Sequence, residues 1–217
     1  MNSMNAIPAK VMTELGLAEI QPNSKQGRIR MFRKTSLILF VLLVFCSTAF
    51  AVKISELKIP SSITVGNYKL ILNGVGFRKK LFIKVYAGAL YLKQKESDPK
   101  KIIEADEPMA IKMVFVCHEV SSKKLVNAWN EGFEKALGKN IKKLQDKINT
   151  FNSFFTQSAK KGDIYDIVYL PEKGVEVYMN SQLKGTVKGI DFKKALFAIW
   201  LGEKPADSGL KKKMLGK

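Results

Sequence analysis

LILNGVGFRKKLFIKVYAGALYL, residues 70–92, decides the fold. From Leu81 to Leu92 it is almost wholly apolar and rich in Ile, Val, Tyr and Leu. A strand that is apolar on both faces must be covered on both faces, so this run predicts a central strand. Gly74-Val75-Gly76-Phe77-Arg78 precedes it and reads as a glycine-marked bend that delivers one arginine to the mouth of the strand. A guanidinium in that place is costly to desolvate unless a carboxylate, an enolate or another anion meets it. Arg78 is therefore the leading candidate for a binding residue. The structural alternative is an ion pair with an internal acid such as Asp163 or Asp166.

Working outward, Ile63-Thr64-Val65 and Tyr68 to Leu72 flank Gly66-Asn67, a two-residue hairpin signal. Residues 93–108 are charged and contain two prolines, which predicts a loop with at most one short helix. Ala110 to Val116 is a further strand. Ser121 opens a helix whose apolar face carries Leu125, Val126, Trp129, Phe133 and Leu137, with Gly138 as its stop. A second helix is expected to carry Ile141, Leu144, Ile148, Phe151 and Phe155. Three strands follow, at 164–170, 175–179 and 183–188. Asp191 is read as the cap of a helix ending at Gly202, and Ser208 to Leu215 as a last short helix. Strands lead, helices occupy the middle, strands return and helices close. The fold class is α+β, with a mainly antiparallel sheet and helices packed on one face.

Composition limits the function. The chain of 217 residues carries 37 Lys and Arg against 19 Asp and Glu, a net charge of +18. The lysines come as scattered pairs, among them Lys79-Lys80, Lys142-Lys143 and Lys193-Lys194, which read as solvated faces. Nucleic-acid binding concentrates charge on one face, so it is not expected here. Loose association with an anionic membrane surface fits the charge better. His118 is the only histidine, and the two cysteines, Cys46 and Cys117, are isolated. A zinc or haem site has nothing to be built from, so neither metal nor cofactor is expected.

At the N-terminus, Met31-Phe32-Arg33-Lys34 gives a positive start and Leu37 to Phe45 is an unbroken apolar run. Ala49-Phe50-Ala51 then supplies the small-x-small pattern of a cleavage site. Residues 31–51 are expected to be a secretory signal peptide cleaved near Ala51, which sends the product to the periplasm or outside the cell. Residues 1–30 are expected to be a disordered extension ahead of the true start at Met31. Residues 52–217 remain as one domain with a net charge of +14.

The stretches Gly74-Val75-Gly76-Phe77-Arg78 and Ala89-Leu90-Tyr91-Leu92 resemble the chalcone isomerase-like family, in which a Gly-x-Gly-x-Arg bend precedes a strand ending in this way. A second similarity lies in Asp191-Phe192, Ala195 to Gly202 and Pro205, which look like the bacterial, secreted branch. The resemblance covers about residues 55–217. It implies an open-faced β-sandwich with a cleft between sheet and helices. It also implies an arginine that holds an anionic reactant, with hydroxyls from a threonine and a tyrosine nearby. Arg78 matches the arginine, Tyr86 stands in place of the threonine, Ser122 falls near the tyrosine position and Trp129 near an asparagine. Ser122 is too short to reach where a tyrosine would, and Trp129 offers only a donor. The resemblance therefore implies binding of a small apolar carboxylate, a fatty acid, through an Arg78–Tyr86 clamp. One alternative is an intramolecular lyase or isomerase of chalcone isomerase type, with Arg78 stabilising an enolate. The other is an envelope protein that binds a partner and no small ligand, for which a cleft filled by bulky side chains would speak.

Overall fold

In this computed structural model the described residues are 53–57 and 59–217. The expected leader at 31–51 and the polar stretch 1–30 lie outside them. Alternation of apolar and polar residues around Gly66-Asn67 gives the predicted hairpin, β1 (Ser62–Val65) against β2 (Tyr68–Lys80), with Val65 opposite Tyr68. β3 (Ile83–Leu92) pairs with β2, and β4 (Met109–Phe115) pairs with β3. Then come β7 (Ile164–Leu170), β8 (Gly174–Met179) and β9 (Gln182–Val187), all antiparallel, in a seven-stranded curled sheet of order β1-β2-β3-β4-β7-β8-β9. β5 (Glu119–Val120) and β6 (Ala159–Lys160) form a separate small ribbon. The α+β architecture matches the sequence reading.

Two expectations about the deciding stretch are corrected. The glycines do not make a bend, because β2 runs through them as one strand of 13 residues. Its register slips by one residue between Leu72 and Gly74 and again between Arg78 and Lys79. The central strand begins at Ile83, not Leu81; Leu81 and Phe82 form the two-residue turn of the β2–β3 hairpin. The first slip leaves Asn73 as a bulged residue. Its buried amide donates to the carbonyls of Glu96 and Met214 at 2.8 Å and accepts from Glu96 N at 2.9 Å, so no polar atom is wasted there. The glycines serve packing. A Cβ on Gly74 would stand 2.1 Å from the Lys213 carbonyl oxygen, and one on Gly76 2.7 Å from Lys213 Cβ. Only glycine admits the last helix this closely.

The helices are α1 (Pro99–Glu104), α2 (Ser122–Leu137), α3 (Gln145–Asn152), α4 (Ile190–Leu201) and α5 (Ser208–Met214). Ser121 caps α2 by accepting from Lys124 N, and Gly138 closes it at φ 53°, both as the sequence reads. The second predicted helix is shorter than its pattern. Gly138–Leu144 is a 3₁₀ segment, and Phe154 and Phe155 lie beyond the end of α3. The N-cap of α4 is Gly189 at φ 104°, not Asp191. Asp191 instead accepts from Lys147 Nζ at 2.6 Å and from Phe192 N at 2.8 Å. α4 is buried except along the edge that carries Asp191, Lys194 and Ala198, which explains its largely apolar sequence. The main core lies between the helices and Tyr86, Leu90, Ile111, Phe115, Tyr165, Ile167, Val175 and Val177 of the sheet. Leu70, Ala89, Tyr91, Ala110, Val168 and Leu170 form a smaller core on the opposite face, packed by Ile59, Ile63 and Val65. No helix among the described residues is long and apolar enough to cross a membrane.

Candidate functional site

Arg78 and Tyr86 are direct cross-strand partners on β2 and β3. Side chains so placed stand about 5 Å apart at Cβ and share a face. Here the face is the helical one, because Tyr86 belongs to the main core and Arg78 meets Asp207 just before α5. The second register slip lies directly after Arg78, and such slips re-aim the side chains beside them.

Arg78 has a partner, and it is neither Asp163 nor Asp166. Its Nη1 lies 3.8 Å from Asp207 Oδ2 and donates to the Lys79 carbonyl at 2.5 Å. Asp207 is itself occupied, accepting from Lys79 N at 2.9 Å and from Leu210 N at 2.9 Å as the cap of α5. A guanidinium has five N–H donors. Among the described residues only Nη1 is engaged, and the side chain remains 24% exposed. Asp163 accepts from Lys160 N and Asn180, and Asp166 forms a 2.6 Å pair with Lys112 on the other face of the sheet.

Tyr86 is buried at the edge of the aromatic interior. Its hydroxyl accepts from Trp200 Nε1 at 2.9 Å, and among the described residues its own hydrogen meets no acceptor. Burial pushes its pKa up to about 12, against smaller lowering effects of the Trp200 hydrogen bond and the Arg78 charge. Tyr86 is thus a neutral phenol at any physiological pH and has a proton to donate.

Behind Tyr86 the interior is filled with rings. Phe115 lies 5.6 Å from Tyr86 and 5.9 Å from Tyr165, and Phe155 lies 5.2 Å from Tyr165 and 5.3 Å from Trp129. Trp129 stands edge-on to Trp200 at 5.5 Å and to Phe151 at 5.2 Å. Trp129 Nε1 and the Tyr165 hydroxyl are buried here without a hydrogen-bond partner among the described residues. Of the weaker candidates, Trp129 therefore joins the cluster that contains Tyr86. Ser122 does not, because its hydroxyl donates to the Phe155 carbonyl and ties the start of α2 to the loop after α3.

Sequence reasoning missed three groups. No local pattern singles out Trp200 or Asp207; each is brought to its partner across more than a hundred residues. Lys193 was read as solvated, yet it is fully buried. Its Nζ donates to the carbonyls of Ile102, Ile103 and Ala105 at 2.7–2.8 Å, capping the C-terminal end of α1 with a cation. Nothing in a Lys193-Lys194 pair distinguishes the buried residue; only the apolar run that follows in α4 hints that one of them is covered. Two surface grooves lie elsewhere. One of about 180 Å³ runs beside α1 and includes Leu92, Ile102 and Met109. Another of about 410 Å³ lies over the smaller core, beside Lys112, Asp166, Glu176 and Tyr178. Among the described residues no cluster of His, Cys, Asp and Glu could hold a metal ion.

A fatty-acid binding protein of Arabidopsis thaliana has the same fold, with a TM-score of 0.62 at 22% identity over 72% of this chain and 90% of that one. None of the curated proteins compared with the chain matches it. A family profile described as chalcone isomerase-like matches residues 51–216, which takes in the glycine-bearing strand, the Arg78–Tyr86 pair and the closing helices. On that match over nearly the whole described domain, the chain belongs to the chalcone isomerase-like family.

Proposed function

We propose that the domain binds a small apolar carboxylate, a fatty acid, with Arg78 holding the head group and Tyr86 assisting. The observation that carries this reading is the cross-strand pairing of a partly exposed guanidinium with a neutral phenol whose proton has no acceptor among the described residues. Together they offer a carboxylate a charge-assisted pair of N–H bonds and one O–H bond. The apolar tail runs into the ring-lined interior, where two buried polar groups lack partners among the described residues. Support also comes from a shared fold with a fatty-acid binding protein. Because the rings already fill the space, entry of a tail must turn some of them, so binding is expected to change the emission of Trp129 and Trp200.

The test is displacement of a fluorescent fatty acid by palmitate on wild type and on Arg78→Ala. Loss of a hydrogen-bonded charge pair costs about 1.5–3 kcal/mol, roughly a 10- to 150-fold weaker affinity. Equal affinity of the two proteins would refute the clamp. The packed interior favours one second reading, a partner-binding protein with no small ligand; failure of both proteins to bind any acyl chain would select it. The same proposal places the domain in the periplasm or outside the cell, on the strength of the leader-like pattern at 31–51. A mature protein that begins at Val52 is the expected product.

A further inference from the structure

The β2–β3 hairpin ends in three exposed apolar residues: Leu81 is 86% exposed, Phe82 98% and Ile83 64%. The remaining large exposed apolar residues among the described ones, Tyr68 and Leu183, are not part of this cluster. A two-residue hairpin turn selects Asn-Gly or Asp-Gly, because its residues take positive φ. This one has Leu-Phe, with Leu81 at φ 56°, a conformation that disfavours a leucine. Neither folding nor solubility accounts for those residues at that position.

The surroundings are cationic. Lys79 and Lys80 precede the turn and Lys84 follows it, with Lys84 Nζ 4.3 Å above the Phe77 ring. β2 and β3 contain no acid along their whole length. Among the described residues the acid paired at this end is Asp207, which is engaged by Arg78 and the Lys79 amide. The ribbon also projects past its neighbours, since pairing with β4 begins only at Tyr86 and pairing with β1 ends at Ile71. An apolar tip ringed by lysines complements one surface in particular, an anionic bilayer, whose head groups attract the lysines and whose acyl region accepts the rings.

We infer that the Leu81-Phe82-Ile83 tip inserts into the interface of anionic membranes, with Lys79 and Lys80 held at the head groups. The inference does not depend on the carboxylate site. It is tested on the full chain carrying Phe82→Trp, mixed with vesicles of phosphatidylcholine and phosphatidylglycerol in equal parts or of phosphatidylcholine alone. Trp129 and Trp200 are buried, so an added exposed indole reports its own surroundings. On anionic vesicles the new emission should move to the blue and be quenched by brominated acyl chains. Leu183→Trp should show neither change. The double variant Leu81→Ser, Phe82→Ser should sediment with anionic vesicles about tenfold less than wild type. Every protein in the comparison carries the apolar 37–45 stretch, so its contribution is common to all, and quenching of residue 82 decides should that stretch dominate sedimentation. An unquenched indole at residue 82 would overturn the inference. So would a concentration-dependent dimer that the serine variant abolishes without any vesicle effect, which would make a second copy the occupant.

Discussion

Lys193→Met removes the cation that closes α1 while keeping an unbranched apolar stem. Three carbonyls, of Ile102, Ile103 and Ala105, now accept from Nζ within a fully buried environment. Without the ammonium they lose that donor, at a cost of about 1–3 kcal/mol for each buried group left unsatisfied. Partial rescue by other donors at the helix end leaves an expected loss of roughly 3 kcal/mol at pH 7. The effect should also depend on pH. Burial, aided by the neighbouring Lys194 charge, lowers the Lys193 pKa from 10.5 to about 8. Between those values the unfolded chain holds a proton that the folded chain does not, so this group makes the protein more stable as pH rises, by about 1.4 kcal/mol per pH unit. From pH 8 to 9.5 wild type should gain about 2 kcal/mol over Lys193→Met, so the gap between them widens. The buried tyrosines are common to both proteins and remain protonated over this range, so they cancel. Urea unfolding at pH 7, 8 and 9.5 measures the gap. A gap below about 1 kcal/mol at pH 7 would refute the role given to the three carbonyls. A gap constant across the series would refute the depressed pKa.

Gly74→Ala should cost roughly 3 kcal/mol, because the added methyl meets backbone oxygens of Lys213 and Met214 at 2.1 and 2.7 Å and must push α5 off the sheet; thermal unfolding checks it, and an unchanged midpoint would show that α5 yields freely. Tyr86→Phe deprives Trp200 Nε1 of its acceptor and should cost about 1–3 kcal/mol in urea unfolding. The same variant should weaken fatty-acid binding less than Arg78→Ala does, since it removes one neutral hydrogen bond and no charge. Arg78→Ala itself should leave stability within about 1 kcal/mol of wild type, given a partly exposed partner at 3.8 Å.

How far the sequence is legible depends on the range of the interaction concerned. The Gly66-Asn67 hairpin and the Ser121 cap and Gly138 stop of α2 follow from a few adjacent residues, and the structure places them where the sequence does. The antiparallel α+β order follows from the sequence of periods alone. Slips occur where two local signals compete. Gly74 and Gly76 read as a bend because glycine is a turn residue, whereas here the same lack of a side chain admits α5 against a continuous strand. Leu81 and Phe82 read as strand because they are apolar, whereas the register of the hairpin makes them its exposed tip.

The sequence by itself determined the sheet, the helical layer, Arg78 and Tyr86 as neighbours of interest, and the lack of ligands for a histidine- or cysteine-based metal site. Only the tertiary structure decided that Asp207 partners Arg78, that Trp200 donates to Tyr86, and that Lys193 rather than Lys194 is buried. Secondary structure is set by side-chain period and backbone preference, which act over a few residues. Pairings across 114 or 128 residues depend on strand register and on where α4 and α5 dock, and no local pattern encodes either.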